Sequence, residues 1–430
     1  MKTTDLIFLA LAVTACSGLP VDEGPEGPVL DPISVSSPVP SEAVPAVVLD
    51  ATQQGYVRAG NALAFRFLTK LYKENPKDII CSPLSLQYAL AMAVNGAEGE
   101  TATEILGVLG YGAEGVEALN VYSKTMMEQL PAVDLDVALR LADALIVNDR
   151  YTLLPSYKET IETHYYAAVE SLPFSDPQRV LDRINEWARR NTEGLIDPLL
   201  DSLDPSIVSV LMNALYFRAR WQGGDENPMF SPDLTSERAF HPDEGEEKLL
   251  SFMETTGRFP YAETETFQIL GLPYAQGKFY MYILLPKERG LTRLMEELPT
   301  LSWTDLAATL ETDGEVRLRL PKFDIEGSYG LNGLLQSLGM NSAFIPGLAD
   351  FGGMFDAPGT DFYISEVLQK AKISVAEWGT EAAAVTVIFK ETTSIEPGDY
   401  IKFTADHPFV FLIGEQTSGA LLFEGVFTGK

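Results

Sequence analysis

The chain has 430 residues, 46% hydrophobic and 21% charged, the composition of an ordinary globular protein. Its 61 acidic against 31 basic residues give a formal net charge of −30, which repels phosphate backbones and argues against nucleic acid as a partner. Length alone allows one large domain or two or three small ones.

At the N-terminus, MKTTDLIFLALAVTAC carries Lys2, an apolar run from Leu6 to Val13, and small residues before Cys16. The run is too short to span a bilayer and reads as the hydrophobic region of a signal peptide, residues 1–15. Val13-Thr14-Ala15-Cys16 resembles the lipobox of bacterial lipoproteins, which implies cleavage before Cys16 and lipidation of that cysteine. Asp5 is unusual in a region that should be basic, so secretion with cleavage nearby is the alternative. Ser17 lacks an aspartate retention signal, which points to the outer membrane. Cys81, in DIICSPLSL, is the sole other cysteine and reads as a small buried hydrophobe rather than half of a disulfide. Residues 16–50 hold seven prolines from Pro20 to Pro45, too little apolar material to fold, and read as the anchor and a tether. In polyproline II form, at about 3.1 Å per residue, such a tether reaches up to about 100 Å.

No comparable linker interrupts residues 51–430, which read as one domain. AGNALAFRFLTKLYKE puts Leu63, Phe67, Leu68 and Leu71 on one helical face. SPLSLQYALAMAVNGA begins with Ser82 as N-cap and Pro83 in the first turn, and ends near Gly96. PQRVLDRINEWARRNTEG starts after Asp176 and stops at Gly194. VDLDVALRLADALIV alternates as a strand, and so does EVRLRLPKF, with Val316, Leu318 and Leu320 opposite Arg317 and Arg319. FYMYILLP and PFVFLIG are continuous apolar runs, suited to strands buried on both faces, and GALLFEGVFTG is a last strand. Helices first, then many strands without a βαβ repeat, predict an α+β fold.

Catalytic chemistry finds little support. His164, His241 and His407 are the sole histidines, and none belongs to an HExxH or pairs with a cysteine at metal spacing. There is no GxSxG elbow, P-loop or GxGxxG after a strand. His407, between Asp406 and Pro408, reads as a local hydrogen-bonding residue. No metal, cofactor or enzymatic activity is expected.

Two motifs near the C-terminus carry a resemblance. Glu377-Trp378-Gly379-Thr380-Glu381-Ala382-Ala383-Ala384, continuing into Val385, resembles the hinge of the serpin family. Phe403 to Ile413, FTADHPFVFLI, is similar to that family's C-terminal signature. Further matches span most of the domain: Asn213 to Phe217 with Trp221, Ser82-Pro83 and Ser85-Leu86, Asn185 with Trp187, Thr192, Gly194 and Ile196, and Leu320 to Phe323. The resemblance implies three β-sheets, eight or nine helices and an exposed reactive loop. It also assigns Ser82, Ser85, Asn213, Trp221 and Gln369 to the region where the main sheet opens. Gln369 stands where many serpins have a histidine bonded to the asparagine corresponding to Asn213, and an amide can supply a substitute bond. Trp378 stands where a polar residue is common.

By resemblance, a target protease cleaves the loop, and the loop inserts into the main sheet before the acyl-enzyme hydrolyses. The residues suit that role. With Thr380 inward, Ala382, Ala384, Thr386 and Ile388 share its face, while Glu381 faces solvent. Small inward residues avoid overpacking, and no proline interrupts Thr380 to Phe389. The plain alternative is a resident hairpin strand with Gly379 in its turn. The family spacing puts the scissile bond at Thr393-Ser394, which suits elastase-like or broad-specificity serine proteases. Lys390-Glu391 is the alternative bond and favours trypsin-like enzymes, and Ile395 is also possible. Other functions remain open: a non-inhibitory binding module, or inhibition of cysteine proteases. The expected state is a monomer in the cell envelope or outside the cell, prone to polymerise through its β-prone loop.

Overall fold

Helix α1 (Ala51–Glu74) opens the folded body of the computed structural model, which describes residues 42–111, 115–204, 206–223, 228–356, 362–380 and 400–430, and the backbone of 5–15. That N-terminal stretch, expected to be a leader, runs as strand β1 (Asp5–Ala15). Cys16 and the tether up to residue 41 lie outside the described residues. The tether's last part is not free. Val44 N–H donates to the Ala132 carbonyl, Val47 N–H donates to Thr417 Oγ1, and Val47 is buried. Asp50 then closes a capping box with Gln53, which sets the first residue of α1.

Strand β2 (Ile79–Cys81) leads into α2 (Pro83–Val94). The Ser82 side chain accepts the Ser85 N–H, Pro83 occupies the first turn, and every residue of α2 is buried. Helices α3 (Gly99–Leu109) and α4 (Gly115–Gln129) pack beside it. Strand β3 (Ala138–Asn148), helix α5 (Pro155–His164) and strand β4 (Ala168–Leu172) follow. Helix α6 (Pro177–Asn191) has Asp176 as N-cap, and Gly194 just beyond it adopts φ +85°. Next come β5 (Ile207–Arg220), β6 (Ser236–Phe240), β7 (Lys248–Arg258), β8 (Tyr261–Glu263), β9 (Phe267–Pro273) and β10 (Phe279–Pro286). Helices α7 (Thr292–Glu297) and α8 (Trp303–Ala307) precede β11 (Glu315–Pro321), β12 (Phe323–Gly330) and α9 (Asn332–Ser337). The chain closes with β13 (Phe362–Ala376), β14 (Gly379–Thr380), β15 (Ile401–Thr404), β16 (Phe409–Glu415) and β17 (Leu421–Phe427).

These strands form three sheets, and with nine α-helices among the described residues the class is α+β. The main sheet has seven strands, crossing from β12 through β13 to β5, β3 and β4. Between β13 and β5 the space is shared: β14 pairs antiparallel with both at one end, and β1 pairs parallel with both along the rest. A six-stranded sheet runs β2-β17-β16-β10-β9-β8, and a four-stranded one runs β15-β11-β7-β6.

The main sheet is covered on both faces, and the period of two decides what each face touches. Along β5, Leu211, Asn213, Leu215 and Phe217 turn toward α2, whereas Val210, Met212 and Ala214 pack with Ile184 and Trp187 of α6. Strands β10 and β16 are sandwiched, so their runs are apolar throughout. In β11, Val316, Leu318 and Leu320 are fully buried, while Arg317 and Arg319 grip Glu254 through their Nε atoms at 2.6 and 2.9 Å.

Candidate functional site: the loop stem and the sheet beneath it

Strand β13 ends at Ala376, turns through Glu377 and Trp378, and returns as β14. In this return Gly379 lies opposite Ala376 and Arg220, and Thr380 opposite Val375 and Ala219. The turn is therefore made by Glu377-Trp378, and Gly379 is the first residue inside the sheet. Its backbone, at φ +140°, is one that L side chains rarely adopt. A Cβ there would stand 2.1 Å from the Ala219 carbonyl oxygen, so the approach of β14 to β5 requires glycine.

Aromatic side chains frame this short strand. The Trp221 indole N–H donates to the Ala376 carbonyl at 2.8 Å, and its backbone N–H donates to the Trp378 carbonyl at 3.2 Å. Its ring stacks on Tyr274, with centroids 4.5 Å apart and planes 8° from parallel. The Tyr274 hydroxyl lies 2.5 Å from Thr380 Oγ1, and both groups are fully buried. Burial pushes the Tyr274 phenol well above its ordinary pKa, so it remains a neutral partner for threonine.

Glu377 is the charged anchor of the turn. It is 6% exposed, and its carboxylate accepts from Lys322 Nζ at 2.9 Å and Thr235 Oγ1 at 2.8 Å. Burial by itself would raise its pKa, but Lys322, its own backbone N–H and Thr235 together hold it below the usual range. An ionised, doubly bonded carboxylate thus clamps the stem of the loop to the body.

Deeper in the sheet, the predicted opening residues meet at the N-terminus of α2. Gln369 is fully buried, its Nε2 donating to the Ser82 carbonyl at 3.0 Å and its Oε1 accepting the Ser82 N–H at 3.2 Å. Ser82 Oγ in turn donates to the Leu422 carbonyl at 2.6 Å. Asn213 takes different partners: Ser85 Oγ donates to its Oδ1, and its Nδ2 donates to Asp143 Oδ1 at 2.7 Å. A substitute bond for Gln369 is present, but it reaches Ser82 and not Asn213. The two strands are too far apart for a direct bond, because another strand lies between β5 and β13 at this level.

Ser82, Ser85, Asn213, Gln369, Trp221, Glu377, Gly379 and Thr380 therefore fall in one continuous region on β5, β13, β14 and α2. Glu381, Ala382, Ala383, Ala384 and Val385 of the hinge lie outside the described residues, as do both bonds, Thr393-Ser394 and Lys390-Glu391. Sequence reading missed Asp143, Tyr274, Thr235 and the pairing of Lys322 with Glu377. Asp143 had a signal: it is the lone acid in ALRLADALIVN, at an inward position. His407 bonds locally through Nδ1 to Asp406, but its Nε2 reaches the Pro286 carbonyl at the end of β10, far off in the chain, each at 2.8 Å.

A family model described as serpin (serine protease inhibitor) matches residues 58–429. The chain belongs to the serpin family. Serpin B6 of Macaca fascicularis is 34% identical over 382 residues, covering 86% of this chain and 98% of its own. The native state of tengpin, a thermophilic serpin, superposes with a TM-score of 0.78 at 29% identity, covering 90% of this chain and 97% of that one. Human thyroxine-binding globulin, solved with thyroxine, superposes with a TM-score of 0.75 at 26% identity, over 87% of this serpin and 98% of its own chain. Members of this family generally bind and inhibit proteases and are not themselves enzymes, although the last neighbour binds thyroxine.

Proposed function

We propose that this serpin is an irreversible suicide-substrate inhibitor of serine endopeptidases, which traps the acyl-enzyme by inserting its cleaved loop into the main sheet. One observation carries the reading: Gly379 and Thr380 of the hinge already pair with both β13 and β5. The stem is thus aligned with the space between β13 and β5, which β1 shares and which cleavage before Cys16 would vacate; Glu381, expected to face solvent, and then the small Ala382 to Ala384 come next. Thr393 ahead of the cut favours elastase-like or broad-specificity enzymes, and Lys390 would favour trypsin-like ones. Lipidation at Cys16 and a tether to the outer membrane would put this activity at a bacterial cell envelope.

The test is incubation with an elastase, trypsin and papain. A covalent, SDS-stable complex with one of them supports the reading and names the class, a papain complex marking cysteine proteases. The mass of the released C-terminal peptide locates the bond. Cleavage without a complex sinks the inhibitor reading in favour of a binding module like the thyroxine carrier. For the envelope, metabolic labelling with a fatty acid and fractionation decide, and absence of label at Cys16 removes the anchor.

A further inference from the structure

Directly under the main sheet lies a carboxyl group that loop insertion does not use. Asp143 of β3 is 1% exposed and sits in register with Asn213 of β5. Its Oδ1 accepts from Asn213 Nδ2, whose amide oxygen is held by Ser85 of α2. Its Oδ2 is buried with no hydrogen-bond partner, and the same holds for the Tyr88 hydroxyl on α2. Among the described residues no cation pairs with Asp143.

The titratable groups around it are phenols. Tyr88 faces it from α2 and Tyr165 from the end of α5, with Tyr111 and Tyr122 behind Tyr88 and Glu117 of α4 acting on Tyr165. Burial raises all four phenols well above ordinary pH, so none of them supplies or removes charge near neutrality. An ionised Asp143 would therefore be a buried anion with one amide donor and no counter-charge, a costly state.

We propose that Asp143 is a proton-operated latch on the β3–β5 joint: neutral, it lets the strands close over α2, and ionised, it loosens them. Burial pushes its carboxyl up to about 7, with the Asn213 bond opposing, so the change falls at neutral pH. A carboxyl raised in the fold binds its proton more tightly there than when unfolded. Stability from this group is complete below about pH 4, declines as pH rises, and levels off above about 7. For control of inhibition, the latch rests on the insertion reading, since β5 borders the space that the loop would enter. The latch itself does not.

The experiment compares the full chain with Asp143→Asn by urea unfolding across pH. Taking the ratio of unfolding constants, wild type over variant, cancels the histidines and every other carboxylate. The ratio should rise about tenfold per pH unit between about pH 4 and 7 and then flatten. In parallel, isotope-edited infrared spectra of aspartate-labelled wild type should show one protonated, poorly solvated carboxyl at about pH 5.5 that is gone by about pH 8.5. A flat ratio, or no acid carbonyl at the lower pH, overturns the proposal, and the spectra decide alone if the variant does not fold. Neither measurement uses a protease, so failure of the inhibitor reading leaves both intact. Where a protease complex forms, its stoichiometry should change with pH near 7 in wild type and not in the variant.

Discussion

Lys322 and Glu377 face each other at 2.9 Å at the turn between β13 and β14, with the carboxylate buried and the ammonium two-fifths exposed. One charge is fixed inside and the other is partly solvated, so the two ends of the pair are not equivalent. Replacing Lys322 by Met leaves the Glu377 carboxylate with only Thr235 and a backbone N–H. A loss of about 1–2 kcal/mol is expected, less than for a fully buried pair because the lysine end is screened.

The same pair has a pH signature of opposite sign to that of Asp143. Glu377 titrates below the usual range in the fold, so its stabilising contribution is present above about pH 4.3 and vanishes as pH falls through its lower folded value. Glu377→Gln should shift the urea midpoint at neutral pH and not at strongly acid pH. An equal shift at both would mean that the contact is steric and not ionic.

Gly379→Ala tests whether β14 belongs to the sheet. The added methyl would meet the Ala219 carbonyl, a backbone atom that cannot swing aside, at a φ that alanine resists. A cost of about 1–3 kcal/mol is expected, with the stem leaving the sheet. Limited proteolysis just after Trp378 should then speed up. If cleavage at the stem stays as slow as in wild type, the pairing of Gly379 is not what holds it.

Much of this region could be read from sequence wherever the cause is local. Ser82-Pro83 caps α2 with groups three residues apart, and Asp176-Pro177 does the same for α6. The alternation in β11 places Val316 and Leu318 by parity alone. What stayed hidden depends on partners far apart in the chain. Nothing near Glu377 announces Thr235 or Lys322, and nothing near Thr380 announces Tyr274. Asp143 showed as an acid in an apolar strand, but its lack of a counter-charge is a property of the whole packed region. For Gln369 the chemistry was legible and the partner was not, because an amide can bond to whatever backbone lies nearest.

Glu424 offers a second buried acid for comparison. It is fully buried on β17, its Oε1 accepts a weak bond from the Cys81 thiol at 3.7 Å, and its Oε2 has no partner. Burial raises its pKa well above the usual range, with the thiol bond opposing. By the same sign argument as for Asp143, its contribution falls as pH rises above about 4.3. Glu424→Gln, neutral at every pH and of similar shape, should match wild type near the unfolded value of about pH 4.3 and gain on it by about 1.4 kcal/mol per pH unit above that, up to the raised folded value. Parallel pH curves for the two proteins would show that Glu424 is ionised in the fold after all.

The loop itself can be tested through Ala384. Thr380 is fully buried, so if the strand continues by simple alternation, Ala382 and Ala384 take the same inward face. An arginine at Ala384 would have to bring its charge into a sheet covered on both sides, which costs several kcal/mol without a partner. Before cleavage the residue would cost nothing there, since the substitution matters only once insertion reaches it. Ala384→Arg should therefore unfold like wild type and still be cut by the target protease, yet yield cleaved serpin in place of an SDS-stable complex. Its heat-induced polymers should fall in parallel, because a charged segment is a poorer partner for another molecule's sheet. Native gels after heating and SDS gels after protease treatment read the two effects separately. Full complex formation by this variant would show that the inserted strand, if there is one, does not run in the register set by Thr380.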